Sequence, residues 1–182
     1  ALSSSKTGAI ISIEQGQSLN DFIKTGTSMN SLVSSELLRS IFQYGTPLHD
    51  GAVIIQGNKI ACASAYFPPT SKEFPSSYGA RHRAAVGISE ISDCVTIVVS
   101  EETGNISIAR EGALLVMNTN ELKDYLLMAI CKSDQVVAKE EVAKTTTSEK
   151  ISDTMSLKEL FADRGEKKTT EFKILLFLIS GI

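Results

Sequence analysis

Thr46-Pro47-Leu48-His49-Asp50-Gly51-Ala52 hands an imidazole and a carboxylate directly to the apolar run Val53-Ile54-Ile55. Acids and imidazoles are the side chains on which proton transfer most often rests. Pro47 biases Thr46 toward extended backbone and stops any preceding helix. Gly51 lets a bulky ligand come close to backbone that carries no side chain. Taken alone, the segment reads first as a surface turn, because Asp-Gly is a common turn dipeptide. A second segment, Tyr78-Gly79-Ala80-Arg81-His82-Arg83-Ala84-Ala85, sets two guanidiniums around the only other histidine at the start of a predicted helix. Free N–H groups at a helix N-terminus and arginine forks together suit phosphate oxygens. In isolation Arg81-His82-Arg83 would be a solvated basic turn; the pairing of the two segments is what points to a site.

The chemistry narrows by exclusion. Neither Gly-x-x-x-x-Gly-Lys nor Gly-x-Gly-x-x-Gly occurs, so a triphosphate needs another cradle, and the Arg-His-Arg segment can serve. A serine hydrolase lacks its Gly-x-Ser-x-Gly elbow, and no cysteine sits in a polar, activating context. Phosphoryl transfer is the class that remains coherent.

The strings TPLHDGA, KIACASAYFPP, RHRAAVGISE and VSEETGNIS, spread from about Gly8 to about Ile130, resemble the catalytic domain of the diadenylate cyclases and their membrane-associated branch in particular. The Asp-Gly-Ala and Arg-His-Arg motifs are intact. Ala80 departs from the pattern, since many members of this branch carry threonine there, and a hydroxyl contact to the nucleotide is lost with it.

The resemblance implies two ATP molecules facing one another across a homodimer interface, each 3′-hydroxyl attacking the α-phosphorus of the other. Cyclic di-AMP and pyrophosphate are the products. It further implies catalytic roles for Asp50, Gly51, Ala52, Arg81, His82 and Arg83. Nucleotide contacts would come from Leu48, Gly51, Tyr66, Phe67, Gly79, Ala80, Arg81, His82, Arg83 and Ser100. A divalent cation (Mn2+, Co2+ or Mg2+) would be held by Asp50 and Glu102 with His49, and a histidine ligand favours manganese or cobalt over magnesium. The alternatives are a module that binds ATP or cyclic di-AMP without turnover, and a scaffold whose charged tail recruits partners. An acid at Asp50 favours catalysis, because a carboxylate near phosphates is useful only with a metal between them.

The elements that must position these residues follow from periodicity. Gly8–Ile13 and Cys94–Ser100 are β-prone apolar runs, Thr103-Gly104-Asn105 turns the chain into Ile106–Arg110, and Ala113–Met117 is a last apolar run. Ala52–Gln56 and Lys59–Tyr66 form a hairpin over Gly57-Asn58. Along its second strand Ile60, Cys62, Ser64 and Tyr66 are expected on one face and Ala61, Ala63 and Ala65 on the other. Tyr66 then either stacks on an adenine or is a core tyrosine with its hydroxyl at the surface. Helices are expected over Ser18–Lys24, over Ser34–Tyr44 with Leu37, Leu38, Ile41 and Phe42 inward, and over Ala80–Ile91 with Ala84, Ala85, Ile88 and Ile91 inward. A last helix enters with reciprocal capping by Asn118 and Glu121 and carries a stripe of Leu122, Tyr125, Leu126, Ala129 and Ile130. Strands and helices without strict alternation, with hairpins among them, predict an α+β (mixed α/β) domain with a central mixed β-sheet flanked by helices.

The 182 residues, 42% hydrophobic, suit one domain plus an appendage. The catalytic domain is expected over 1–132. Over 133–182 a flexible charged tail is expected, with a short helix at Ser156–Phe161 and an apolar end, Phe172–Ile182, too short to span a bilayer. A net charge of −3 without a long basic run argues against nucleic acid as a partner. Cys62, Cys94 and Cys131 lack zinc spacing and read as buried reduced thiols, fitting a cytosolic redox environment. The chain begins at Ala1 rather than methionine, and the resemblance implies a domain at the cytoplasmic face of a membrane, associated through segments absent here.

Overall fold

Three runs that are buried along their whole lengths make the centre of the sheet. They are β1 (Ala9–Ile13), β3 (Ala52–Gln56) and β5 (Val95–Val99), of which only Gln56 escapes full burial. Strands covered on both faces read as continuous apolar stretches, so an unbroken β-prone run and not alternation marks them. In the computed structural model, which describes residues 1–75 and 78–129, they sit in a seven-stranded sheet of order β2-β4-β3-β1-β5-β6-β7. The remaining strands are β2 (Thr27–Leu32), β4 (Lys59–Ala65), β6 (Ile106–Arg110) and β7 (Ala113–Met117). β1 and β3 are parallel and every other pairing is antiparallel, so the sheet is mixed as expected.

Register fixes what gathers where. Ile11 lies opposite Val53, Ala9 opposite Val99 and Ala52 opposite Ala65. The starts of β1 and β3 and the ends of β4 and β5 therefore share one end of the sheet.

Helices cover both faces. On one, α2 (Ser35–Ile41) buries Leu38 and Ile41, with Phe42 at its C-cap. Its start is set by Ser34, whose hydroxyl accepts from the Leu37 N–H at 3.2 Å. Helix α4, over 119–129, packs Leu122 and Leu126 into the same core. Its reciprocal cap is present: Asn118 N–H donates to Glu121 Oε2 at 2.8 Å, and Glu121 N–H to Asn118 Oδ1 at 3.0 Å. Each fully buried leucine or isoleucine in this layer contributes about 1.5–3 kcal/mol relative to exposure. On the other face lie α1 (Asn20–Ile23) and α3 (Ala80–Ile91), the latter inserting Ala85, Val86 and Ile88. Ile91 ends exposed rather than inward, because the helix stops there at Ser92.

Two strand expectations change. β2 was not foreseen: Thr-Ser-Met-Asn-Ser-Leu shows no apolar alternation, since an edge strand lying largely in solvent needs none. In β4 the expected faces are broken by irregularities in its pairing with β3, at Ala52/Ile54 and Ile54/Ile55. Each added residue flips those after it, so Ile60 and Ala63 pack on one core while Cys62 and Ala65 pack on the other. Cys62 and Cys94 are buried and unbridged, and burial pushes the Cys62 thiol up. Cys131, Ile130 and the expected tail lie outside the described residues.

Candidate active site

At the shared sheet end, the entry to β3 is built around Gly51. Its φ is +95°, and a Cβ there would lie 2.8 Å from both Ala65 O and Ser64 C, backbone atoms of the neighbouring strand. Ser64 itself has φ +58°, so the two chains are locked against each other at the bulge. Gly51→Ala is expected to lower unfolding free energy by more than about 2 kcal/mol, from the left-handed backbone and the clash together. The check is a denaturant melt in which the midpoint falls at unchanged slope. A shift within error would show that β3 and β4 relax freely here.

Before Gly51 the chain makes a tight turn that presents its two chemical groups differently. His49 Nδ1 lies 2.6 Å from Thr46 O, and since a carbonyl only accepts, Nδ1 carries the proton. In the neutral tautomer this leaves Nε2 as the ring atom able to accept or to bind a metal. The ring meets Tyr44 edge-on at 5.4 Å. Asp50 is exposed, accepts only from its own neighbour Gly51 N–H at 3.1 Å, and forms no ion pair among the described residues.

Helix α3 starts at this same end. Gly79 is its extended N-cap and offers no side-chain acceptor: its carbonyl takes the His82 N–H at 3.1 Å, and no side chain caps the N–H groups before it. Arg81 NH1 donates to Glu101 Oε2 at 2.6 Å, its Nε is buried without a partner among the described residues, and its guanidinium lies over buried Gly8. Arg83 is exposed, with no carboxylate paired to it among the described residues. It lines a cavity of about 410 Å³ with Lys72, Phe74 and Tyr78. His82 is 7% exposed beneath Tyr78, with ring centroids 5.0 Å apart. Burial, and then the charge of Arg81, hold its pKa below the ordinary histidine value, while Glu102 acts in the opposite sense. The ring is therefore neutral at pH 7.

The exit of β5 is closed by a turn in which Gly104 N–H donates to Ser100 O at 2.9 Å and Thr103 N–H to Ser100 Oγ at 3.3 Å. Glu101 and Glu102 project from it, both exposed. Tyr66, at the exit of β4, is 65% exposed, which removes the core-tyrosine reading and leaves its ring open to a planar ligand. Phe67 is buried edge-on against Phe22, Ala52 is core, and Leu48 packs partly on the α2 side. From Tyr66 to Ser100 the row crosses β4, β3, β1 and β5, about 14 Å at the usual strand spacing. Among the described residues no three His, Cys, Asp or Glu side chains converge, so His49, Asp50 and Glu102 do not meet within one chain.

Residues 1–114 match the family model "DAC: DisA bacterial checkpoint controller nucleotide-binding". This chain belongs to the DAC family. It is 48% identical over 130 residues to the cyclic di-AMP synthase CdaA of Bacillus subtilis, a match covering 71% of this chain and 48% of that protein. It is 51% identical over 124 residues to a diadenylate cyclase of Listeria monocytogenes, covering 67% and 45% respectively. Among solved structures, DacA from Staphylococcus aureus, in a double-mutant form, aligns with TM-score 0.67 at 48% identity, over 69% of this chain and 85% of that one. A hypothetical membrane spanning protein from Bacillus cereus aligns with TM-score 0.62 at 46% identity, over 64% and 58%. The chain spans about half the length of the first two relatives.

Within this DAC domain, four residues near the row escaped the sequence reading. Gly8 and Glu101 touch Arg81, Tyr44 faces His49, and Thr25 Oγ1 accepts from Tyr66 N–H at 2.9 Å. Thr25 and Gly8 lie far from their partners in sequence, and no spacing rule links them.

Proposed function

We propose that this DAC domain is a diadenylate cyclase, condensing two ATP into cyclic di-AMP with loss of two pyrophosphates. The observation that carries the reading is Asp50: a carboxylate exposed at the lip of β3, without a cationic partner among the described residues, at the same sheet end as the uncapped start of α3. Each step forms a bond from a ribose 3′-oxygen to the α-phosphorus of the other nucleotide and breaks that phosphorus's bond to the bridging oxygen of pyrophosphate. The 3′-hydroxyl proton is lost on attack, and Asp50 orients that hydroxyl and accepts from it. Arg81, Arg83 and the N–H groups at the start of α3 stabilise charge on the phosphates and the departing pyrophosphate. Tyr66 stacks on the base.

The donors suit a divalent cation: His49 Nε2 keeps a free lone pair, and the Asp50 and Glu102 carboxylates are exposed. We assign them as its ligands, with manganese or cobalt preferred to magnesium. When bound, the ion supplies acidification of the attacking hydroxyl and positive charge at the phosphate oxygens. Because the described residues of one chain do not bring the three side chains together, substrate phosphates and a second chain would have to complete the set. Neutral His82 packs under Tyr78 and supports the first turn of α3 rather than donating a proton.

We place the domain at the cytoplasmic face of a membrane, held by segments outside this sequence. No helix among the described residues is long and apolar enough to cross a bilayer.

The test is incubation of the chain with ATP and manganese, followed by anion-exchange separation of the nucleotides. A new species co-eluting with cyclic di-AMP, with two pyrophosphates per product, is expected. Intact ATP would favour a binding module, and ADP or AMP a hydrolase. Arg81→Ala and Arg83→Ala are each expected to weaken a non-hydrolysable ATP analogue about tenfold or more, since a hydrogen bond to a charged group contributes roughly 1.5–3 kcal/mol. Calorimetric titration reads this, and unchanged affinity in both would refute their role at the phosphates.

A further inference from the structure

Arg81 occupies a slot that only this backbone provides. Gly8, buried at the entry to β1, would with a Cβ lie 2.8 Å from Cζ and NH1 of Arg81 and 3.1 Å from Nε. The guanidinium therefore rests in space that glycine alone leaves open. From the exit of β5, Glu101 Oε2 accepts from NH1 at 2.6 Å. The two contacts come from adjacent strands, joined through the Ala9–Val99 pair. Held this way, Nε is buried with no partner among the described residues, a cost a freely moving side chain would avoid by turning to water.

We propose that Gly8 and Glu101 are positioning residues for Arg81, fixing its fork before a nucleotide arrives so that phosphate binding costs little further ordering. The inference rests on the reading of Arg81 as a phosphate ligand. Arg83 has no such anchor, so the triplet combines one preset guanidinium with one adaptable one. Gly8 immediately precedes β1 and has no positive φ, and the atoms its Cβ would meet are the far end of a flexible side chain. Alanine at residue 8 should therefore move Arg81 and leave the sheet intact.

Affinity for a non-hydrolysable ATP analogue and melting temperature are measured for Gly8→Ala, Glu101→Ala and Glu101→Gln, alone and combined with Arg81→Ala. Gly8→Ala and Glu101→Ala are expected to weaken binding roughly five- to tenfold at unchanged melting temperature, and to add less than about twofold once Arg81 is alanine. Glu101→Gln retains near-parental affinity, because the amide oxygen still accepts from NH1. Should Gly8→Ala melt early, the Glu101 variants decide. Parental affinity in Gly8→Ala and Glu101→Ala, tighter binding in Glu101→Ala, or equal losses in the Arg81→Ala background would each overturn the proposal. Parental affinity in Arg81→Ala itself would instead remove the phosphate role on which it rests.

Discussion

Asp50→Asn is expected to reduce cyclic di-AMP formation by about 10²–10⁴-fold while leaving melting temperature and ATP-analogue affinity close to parental. The side chain is exposed, has no ion pair among the described residues, and accepts only from Gly51 N–H. Asparagine keeps the volume and an oxygen for that bond. A substitution of this kind on the surface usually changes stability by no more than about 0.5 kcal/mol. What it removes is the negative charge, and with it the proposed acceptor for the 3′-hydroxyl and the proposed cation ligand. The phosphate contacts assigned to Arg81, Arg83 and the start of α3 are untouched, so the analogue should still bind. The contrast with Gly51→Ala is diagnostic: one neighbour carries chemistry at little structural cost, and the other carries structure. Product release assayed under saturating ATP checks the prediction, and turnover within a few-fold of parent would end the assignment of Asp50.

Much of this was legible in the chain, because its strongest signals are local. The apolar runs of β1, β3 and β5, the helical stripe of Leu38, Ile41 and Phe42, and the Asn118–Glu121 box each depend on neighbours a few residues away. The site segments were legible as motifs, and Gly51 was singled out for its lack of a side chain, although the reason found is close backbone from β4 as well as access for a ligand. What escaped depends on register. A single-residue irregularity in β4 reassigns Cys62 and Ile60 to opposite cores, and alternation cannot reveal it. Gly8 against Arg81 and Thr25 against Tyr66 arise only once β1, β4 and α3 are assembled. β2 is polar because it is an edge, and composition reads such a segment as loop.

Specific activity is expected to fall as the protein is diluted, and the loss should be nearly complete. If each chain holds one ATP, the attacking hydroxyl and the α-phosphate belong to nucleotides on different chains. A lone chain brings no reacting pair together. Orientation is the main service the protein performs, and well-placed partners reach effective molarities of about 10⁵–10⁸ M, which a nucleotide diffusing from solution cannot match. The faces carrying Asp50, Arg83 and Glu102 are polar and must bind charged ligands, so a small, wet interface is expected in place of a continuous apolar one. Association should then follow mass action in protein and in ATP.

Turnover per chain, followed across a dilution series in ATP and manganese while sedimentation reports mass, tests the two-chain mechanism most directly. The prediction is turnover that halves with each halving of concentration once monomer predominates. Constant turnover per chain through a range where the protein is demonstrably monomeric would contradict it and point to chemistry completed within a single chain.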